Sequence, residues 1–393
     1  MNSTTTERQP LATSLIVVMA FACGAMVANL YYAQTLLDSI APAIGLSSGM
    51  EGAIVTLTQL GYGLGLALLV PLGDLVENRR LILISVAGTA IGCIGIATAQ
   101  GPATFLAASV ITGVCATGAQ VLVPLAATLS SGDRQGRTIG MVMSGLLTGV
   151  MLARPAASFV AALAGWRAIF YASSGLMVVI GIVLAISLPR RVPSTDKSYP
   201  QIIGSLLTLA RSYRQLRRRA AYQGAMFFVF NLFWTVAPLV LLREFGMTQT
   251  QVALFALAGA GGALAAPVAG ALADRGFTRA LTLTGTGAVA AAMLAADLAV
   301  AARSVVIFAI TAIVVDAAVQ MSQITGQKII FALDGDARAR LNAAYMTTMF
   351  VVGALGSLAG GFSYTMGGWP LTAIIGAGVA AMTLAATAYL DRA

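Results

Sequence analysis

The chain has 393 residues, of which 58% are hydrophobic and only 9% are charged, and its mean hydropathy is +0.88. An ordinary soluble domain carries roughly 25% charged residues, so this composition excludes a soluble globular protein and a coiled coil. The formal net charge of +9 does not indicate binding to nucleic acid, because the sequence contains no soluble domain that could display it.

Apolar runs of about 20 residues, the length of a membrane-spanning helix, recur along the whole sequence and predict an all-α integral membrane protein rather than a barrel. The first run is too long for the core of a signal peptide, and we expect it to be retained as helix 1. Three cysteines, Cys23, Cys93 and Cys115, lie within apolar runs and give no disulfide framework. We expect twelve spans, near residues 12–36, 50–72, 81–99, 103–129, 138–164, 168–188, 220–242, 249–272, 279–299, 304–327, 339–365 and 370–390.

The longest polar stretch, 189–219, contains RSYRQLRRR and separates the spans into two groups of six. We therefore expect an N-terminal six-helix half at 1–188, a cytoplasmic central loop at 189–219 and a C-terminal six-helix half at 220–393. The basic residues of the central stretch could also lie on anionic lipid as an amphipathic segment.

The loops differ sharply in lysine and arginine content, and the basic side of a membrane protein is normally cytoplasmic. If both termini are cytoplasmic, nineteen basic residues lie inside, and only Arg167, Arg243 and Arg303 lie outside. This distribution predicts cytoplasmic termini and accounts for most of the positive charge. Arg154 belongs to neither side, because it falls within the fifth span.

A polar sequence segment occurs in two copies, PLGDLVENRR at 71–80 and GALADRGFTR at 270–279. Each copy follows the second span of its half. A carboxylate in such a loop can accept hydrogen bonds from a helix N-terminus and pair with an arginine, while glycine permits close helix approach. The two segments are therefore candidates for conformational gating, and the alternative is an ordinary basic loop turn. The gating candidates are Gly73, Asp74, Arg79, Gly270, Asp274, Arg275 and Arg279. We expect Asp274→Asn to impair switching more than Asp74→Asn, because the second copy is better kept.

The second copy resembles the cytoplasmic-loop motif of the major facilitator superfamily, whereas the first has Leu75 and Glu77 where a basic residue and glycine are usual. NLYYAQTLLDSIA at 29–41, DAAVQ at 316–320 and ARARLNAAYMTT at 337–348 look like a bacterial efflux subgroup of that superfamily. The resemblance implies two pseudo-symmetric six-helix halves, export of small molecules coupled to protons, and location in a bacterial inner membrane. We expect a monomer.

Two other motifs of proton-coupled drug exporters are weak in this sequence. The fourth span has Ser109 at the position where these exporters have an arginine, four residues before Gly113. The fifth span keeps Gly145, Gly149 and Pro155 of the second motif, but Arg154 is inserted before the proline.

Two ionisable residues at membrane depth, Arg154 and Asp316, are the candidates for proton coupling. Such residues are costly in lipid and normally face a cavity or a partner. Burial disfavours the charged form of Asp316 and a nearby guanidinium favours it, so movement of Arg154 could load and release a proton. The alternative is a structural pair between helices.

The resemblance implies that spans 1, 4, 7 and 10 line a central substrate cavity. The candidate cavity residues on these spans are Asn29, Tyr32, Gln34, Gln120, Phe227, Asn231, Trp234, Gln320 and Gln323. Packing by the aromatic residues and interhelical hydrogen bonds by the amides are the alternatives.

Several absences in the sequence restrict the energy source. The phosphate loop GxxxxGK[ST] does not occur, there is no histidine, and no Cys/His cluster suggests a metal site. We therefore expect no cofactor and no enzyme activity, with small-molecule substrate, protons and membrane lipids as partners and no nucleic acid. Three hypotheses stay open: a proton-coupled exporter, a proton-linked importer of a polar metabolite, and a transport-dead sensor or assembly protein.

Overall fold

The computed structural model describes residues 13–47, 49–130, 135–193, 198–262, 265–335 and 337–391, which are almost entirely helical. Four basic residues counted as cytoplasmic from the sequence, Arg8, Arg134, Lys197 and Arg392, lie outside the described residues. Helices are expected in a lipid bilayer, because a chain in hydrocarbon must satisfy its backbone hydrogen bonds within itself.

The first half contains eight helical segments. They are α1 (Thr13–Ala28), α2 (Leu37–Ala43), α3 (Gly52–Leu68), α4 (Asn78–Thr98), α5 (Pro102–Ala116), α6 (Gly118–Leu129), α7 (Gln135–Ala164) and α8 (Trp166–Ser187). Short 3₁₀ turns at Tyr32–Thr35 and Val70–Asp74 extend the first and second spans.

The second half follows a connecting helix, α9 (Tyr199–Ser212). Its segments are α10 (Arg214–Arg243), α11 (Gln249–Gly262), α12 (Ala265–Asp274), α13 (Thr278–Ala301), α14 (Val305–Phe331) and α15 (Arg338–Leu390). The backbone of α15 leaves helical geometry at Gly367 and Gly368. The positive φ of 64° at Gly368 suits glycine, because it has no Cβ to clash, and α15 therefore makes two crossings.

The prediction of twelve spans is confirmed. Among the described residues, nine helical stretches are long and apolar enough to cross a membrane, and α15 counts once among them. The shorter α1 and the pair α11 and α12 supply two further spans, and the second part of α15 supplies the last. Large apolar side chains cover the outside of the bundle, including Leu163, Ile186 and Met366, which are 74%, 80% and 80% exposed. Such a surface suits lipid rather than water.

Helix packing repeats between the halves. In the first half α1 packs on α7 and α4 packs on α8. In the second half α10 packs on the first part of α15, where Gly356 meets Phe228, and α13 packs on its second part, where Gly376 meets Met293. The halves meet where α3 packs along α15 and α7 along α11. A space between the halves is therefore bordered by helices of both.

Two boundaries differ from the sequence prediction. The first span is not one helix to residue 36, because the side-chain amide of Asn29 donates to the carbonyls of Ala25 and Met26 and α1 ends there. The stretch 189–219 is not simply a loop, since it contains α9 and the first turns of α10. The amphipathic α9 buries Ile202 and Leu206 against the protein.

Candidate functional site

Arg154 on α7 is a buried cation with 3% of its surface exposed. Its Nε donates to Oε1 of Gln34 at 2.8 Å. The guanidinium carbon lies 4.3 Å from the ring centroid of Trp234, 5.0 Å from that of Phe230 and 5.1 Å from that of Tyr31. Aromatic faces attract cations electrostatically, so these rings replace part of the hydration that Arg154 loses on burial.

Asp316 on α14 is 6% exposed, and its Oδ1 accepts a hydrogen bond from Nε1 of Trp234 at 2.6 Å. Trp234 on α10 thus contacts both charges, covering Arg154 with its ring face and holding Asp316 with its N–H. Within the described ranges no ion pair joins Arg154 directly to Asp316. Arg154 and Asp316 therefore both contact the indole of Trp234 and do not form a direct ion pair with each other.

Two glycines on α11 make room for this cluster. A Cβ added to Gly259 would lie 2.5 Å from Cζ2 of Trp234 and 2.7 Å from Oδ2 of Asp316. A Cβ on Gly262 would lie 2.7 Å from the backbone nitrogen of Ala317. All three distances are shorter than real Cβ contacts, so glycine is required for α11 to pack against Asp316.

A cavity between the halves adjoins the cluster, and Arg154 and Asp316 both line it. Four of the predicted substrate residues line it as well: Gln120, Phe227, Gln320 and Gln323. Gln120 donates through Nε2 to the hydroxyl of Tyr62 at 3.0 Å. The remaining walls are apolar or aromatic and include Tyr31, Phe230, Met346, Met349 and Phe350. The cavity thus offers amides and one charge of each sign within an apolar wall.

Three buried amides connect the halves beside Arg154. Gln59 donates to Oδ1 of Asn231 at 2.9 Å, and Asn231 donates back to Oε1 of Gln59 at 2.6 Å. Gln34 donates to the same Oδ1 of Asn231 at 3.5 Å while it accepts from Arg154. Gln34 and Gln59 belong to the first half and Asn231 to the second. The structure therefore places the predicted Gln34 and Asn231 in an inter-half network rather than in the cavity lining.

Asn29 and Tyr32 also lie outside the cavity lining. Oδ1 of Asn29 accepts from the hydroxyl of Ser173 at 2.7 Å and from the thiol of Cys93 at 3.1 Å, inside the first half. The ring of Tyr32 packs edge-on against Phe170, with centroids 6.4 Å apart. Because α1 ends at Ala28, Asn29 and Tyr32 do not point in the directions that a continuous helix would give them.

Polar contacts between the halves continue at one end of the bundle, named the Asp38 end. Arg243 donates to Oδ1 of Asp38 through Nη2 at 2.6 Å and through Nε at 2.9 Å. The side-chain amide of Gln249 donates to the carbonyl of Thr35 at 3.0 Å and to the hydroxyl of Ser158 at 3.2 Å. These contacts and the amide network hold the halves together on this side of the cavity.

The second copy of the repeated polar segment, 270–279, lies at the end of the bundle opposite the Asp38 end. Oδ1 of Asp274 pairs with Nζ of Lys328 at 2.9 Å, and the Asp274 side chain is 79% exposed. Lys328 belongs to the same half, so the pair does not join the halves. Arg275 and Arg279 are exposed, and a Cβ on Gly270 would meet no atom within 4 Å. The expected arginine partner and close glycine contact are not what the structure shows here.

The first copy faces the other half. Gly73 and Asp74 line a small cavity together with Arg340 of α15. The amide of Asn78 donates to the carbonyl of Gly73, and Nη1 of Arg191 donates to Oδ1 of Asn78 at 3.1 Å. The copy that departs further from the motif is therefore the one beside the inter-half boundary.

Arg79, the remaining residue of the first copy, points back into its own half. Its Nη2 donates to the backbone carbonyl of Ala185 near the end of α8. Arginine at this position therefore caps a helix C-terminus, where a cation is favoured.

Sequence reasoning missed several residues of the site. Gln59 is an isolated amide within an apolar span, and the cost of an unpaired amide in hydrocarbon could have indicated a partner. Tyr31, Tyr62 and Phe230 carry no such signal, because aromatic residues pack equally well against lipid. Their contact with the cavity depends on how each helix is rotated.

Comparisons with known proteins agree with this architecture. A model of the Major Facilitator Superfamily matches residues 14–228 and 220–393. The chain is 41% identical over 381 residues to a transporter, YgaY, of Escherichia coli O157:H7, covering 97% of this chain and 96% of the relative. It is 28% identical over 274 residues to a chloramphenicol resistance protein of Streptomyces lividans, covering 68% and 69% of the two chains. The crystal structure of a D-xylose-proton symporter has a TM-score of 0.74 at 15% identity, covering 94% of this chain and 97% of that one. The predicted fold is thereby confirmed, and the chain belongs to the Major Facilitator Superfamily, as a multi-pass membrane transporter.

Proposed function

We propose that this transporter exports small amphipathic molecules in exchange for protons, by alternating access between its halves. The observation that carries the proposal is the buried cluster of Arg154, Trp234 and Asp316 beside a cavity between the halves. Ionisable side chains are rare in membrane spans and usually serve transport or proton transfer. In this protein they contact the space that a substrate would occupy.

Asp316 is the proposed proton carrier and Arg154 the group that tunes it. Burial disfavours the charged carboxylate, whereas a nearby guanidinium and the donated indole N–H favour it. Arg154 comes from the first half, and Trp234 and Asp316 come from the second. A rigid-body movement between the halves would therefore change the distance between the charges and shift the proton equilibrium of Asp316.

The arrangement of the cavity supports a cytoplasm-facing state. The positive-inside distribution of lysine and arginine favours placing the Asp38 end outside and both termini in the cytoplasm. In this proposal the chain acts as a monomer in a bacterial inner membrane. The described inter-half contacts of Asp38, Gln249 and Asn231 close that end. A substrate would then enter from the cytoplasm, as export requires.

The apolar and aromatic walls of the cavity favour an amphipathic ligand. The similarity to a protein named for chloramphenicol resistance favours export. Import of a polar metabolite is the second candidate. It is favoured by Gln120, Gln320 and Gln323, because three amides in one cavity can hydrogen-bond the hydroxyls or amides of a polar molecule.

The decisive experiment uses purified protein in liposomes with an imposed pH gradient and a ligand selected by thermal stabilisation, which reports binding to the folded state. Asp316→Asn cannot titrate, so we expect it to bind the ligand and lose gradient-driven movement. Asp297→Asn, on α13 and away from the cavity lining, is the control and should keep both. Gradient-driven movement at the wild-type rate in Asp316→Asn would refute the assigned role. The direction in which the ligand moves separates export from import. If the wild type moves none of the ligands that it binds, the hypothesis of a transport-dead sensor or assembly protein would be favoured.

A further inference from the structure

A groove on the outer surface of the second half runs between the start of α10 and the end of α15. Its α10 wall consists of Arg217, Arg218, Ala221, Tyr222 and Ala225. Its α15 wall consists of Val379, Met382, Thr383, Ala386 and Leu390. The two helices run in opposite directions, so both arginines lie at the end of the groove where α15 finishes.

The wall beyond the arginines presents apolar atoms. The hydroxyl of Thr383 donates to the carbonyl of Val379 at 2.8 Å, and that of Tyr222 donates to the carbonyl of Ala386 at 3.4 Å. Both polar groups are therefore satisfied within the protein. Met382 is 67% exposed, which leaves the groove open along its side.

The arginine end carries excess positive charge. Five arginines lie between residues 211 and 219. Among the described residues, the carboxylates that contact this segment are Asp334, through Tyr213, and Asp391. Asp391 is bound at 2.6 Å by Arg219, while Arg218 lies 3.9 Å from it. Arg217 donates to the backbone carbonyl of Ala210 at 3.0 Å, and among the described residues it forms no ion pair. A charge of opposite sign would be complementary to this end.

The length of the groove matches one leaflet of a bilayer. From Arg217 to Ala225 the helical rise is about 12 Å, and from Val379 to Leu390 it is about 16 Å. One leaflet contributes about 15 Å of hydrocarbon. Basic residues at the interface attract the anionic headgroups of lipids, and the arginines here stand where a headgroup would lie if an acyl chain occupied the apolar wall.

We propose that this groove is a binding site for one anionic phospholipid, with its phosphate on Arg217 and Arg218 and an acyl chain along Ala221, Ala225 and Val379. The site is separate from the transport cavity and does not depend on the proposed substrate or coupling. Zwitterionic lipid lacks the net charge that the arginines attract, and inorganic phosphate lacks the chain that the wall accommodates.

The test is native mass spectrometry of the full chain in uncharged detergent, titrated with phosphatidylglycerol, phosphatidylcholine or inorganic phosphate. We expect one phosphatidylglycerol to be retained per wild-type chain, and at least tenfold weaker retention of phosphatidylcholine. R217Q/R218Q should weaken retention of phosphatidylglycerol by at least tenfold. A225F fills the wall without changing the charge and should weaken it similarly. The matched control R80Q/R190Q removes two exposed arginines away from the groove, Arg80 of the first half and Arg190 of the central stretch, and should bind like the wild type.

Equal retention of phosphatidylglycerol by all of these variants would overturn the site, since it would show that retention depends neither on Arg217 and Arg218 nor on the groove. Wild-type retention in A225F, together with displacement by inorganic phosphate, would also overturn the lipid assignment and show an anion site alone. If the double arginine variant fails to fold, A225F still decides between these outcomes, because it keeps every charged contact.

Discussion

Trp234 is the residue on which the cluster depends, because one side chain serves two different charges. Its ring face stabilises a guanidinium that has lost water, and its N–H stabilises a carboxylate in the same environment. Cation–π contacts are worth about 2 kcal/mol or more when desolvated, and a hydrogen bond to a charged group is worth about 1.5–3 kcal/mol. Removing either interaction would leave a buried charge less well compensated.

Trp234→Phe keeps an aromatic face for Arg154 but removes the donor to Asp316. We expect it to lower the free energy of unfolding by about 1.5–3 kcal/mol through loss of that hydrogen bond. The matched control is Trp369→Phe, because Trp369 is also fully buried and its Nε1 has no hydrogen-bond partner in the part of the chain that the structure describes. Both variants lose the same ring volume. Thermal unfolding in detergent measures the difference, and an equal loss in both would mean that the bond to Asp316 contributes nothing.

At the scale of single helices, glycines decide how closely the spans approach. Gly145 and Gly149 on α7 face the backbone of Ala20 and Gly24 on α1. Small residues at such interfaces allow the close packing that drives helix association in lipid. The glycines of the fifth span therefore hold α7, and with it Arg154, against the first helix.

Gly149→Ala places a methyl group against the backbone of Gly24 and should separate the helices, at a cost of about 1–3 kcal/mol as for other overpacked sites. Gly140→Ala is the control on the same helix, because a Cβ there meets no atom within 4 Å. We expect that variant to unfold at the wild-type temperature or slightly above it. A Gly149→Ala midpoint equal to that of Gly140→Ala would show that α1 and α7 can relax without loss.

The repeated loops differ in what they contact, and this difference reverses the order of effects expected from their sequences. The Asp274–Lys328 pair is exposed and lies within one half, and exposed pairs contribute only about 0–1 kcal/mol. Asp74 lies at a cavity shared with Arg340 of the other half. In the proposed cycle, only the environment of Asp74 would change as the halves separate.

We therefore expect Asp74→Asn to slow ligand transport in liposomes by about fivefold, the size of a coupling energy near 1 kcal/mol. Asp274→Asn serves as the comparison and should stay within about twofold of the wild type, as expected for an exposed pair. Transport rates at matched protein density measure both. A larger effect of Asp274→Asn would restore the order expected from motif quality and place the gating contact in the second loop.

For the whole molecule, the question is what holds the two halves in one arrangement. The Gln59–Asn231 pair is fully buried and joins the halves next to Arg154. An unpaired buried polar group costs about 1–3 kcal/mol. This amide pair therefore favours the arrangement that is closed at the Asp38 end, and its loss should shift the population.

Asn231→Leu should open the Asp38 end, with a change of about tenfold or more in the ratio of states, since about 1.4 kcal/mol corresponds to tenfold. The readout is the rate at which a maleimide labels a cysteine at Thr35, which is 1% exposed, in a background without the three native cysteines. Asn29→Leu is the control, because Asn29 is an equally buried amide whose side-chain partners lie in the first half. Slow labelling in both variants would exclude the amide pair as the closing contact.

The sequence by itself determined the membrane class, the twelve spans, the division into halves and the presence of Arg154 and Asp316 at membrane depth. Hydropathy, span length and the repeated polar segment in the loops are local properties of the sequence, so they can be recognised without knowledge of packing. It also indicated Gln120, Phe227, Gln320 and Gln323, which line the cavity.

Only the tertiary structure decided that Trp234 lies between the two charges, that Asn29 and Tyr32 turn into the first half, and that Gln59 pairs with Asn231. It also showed that α9 folds against the bundle. Lipid removes most of the hydrophobic difference between the faces of a helix, so the apolar pattern does not fix how each span is rotated. Rotation depends on close packing at glycines and on polar partners in other helices, and those contacts exist only once the halves are assembled.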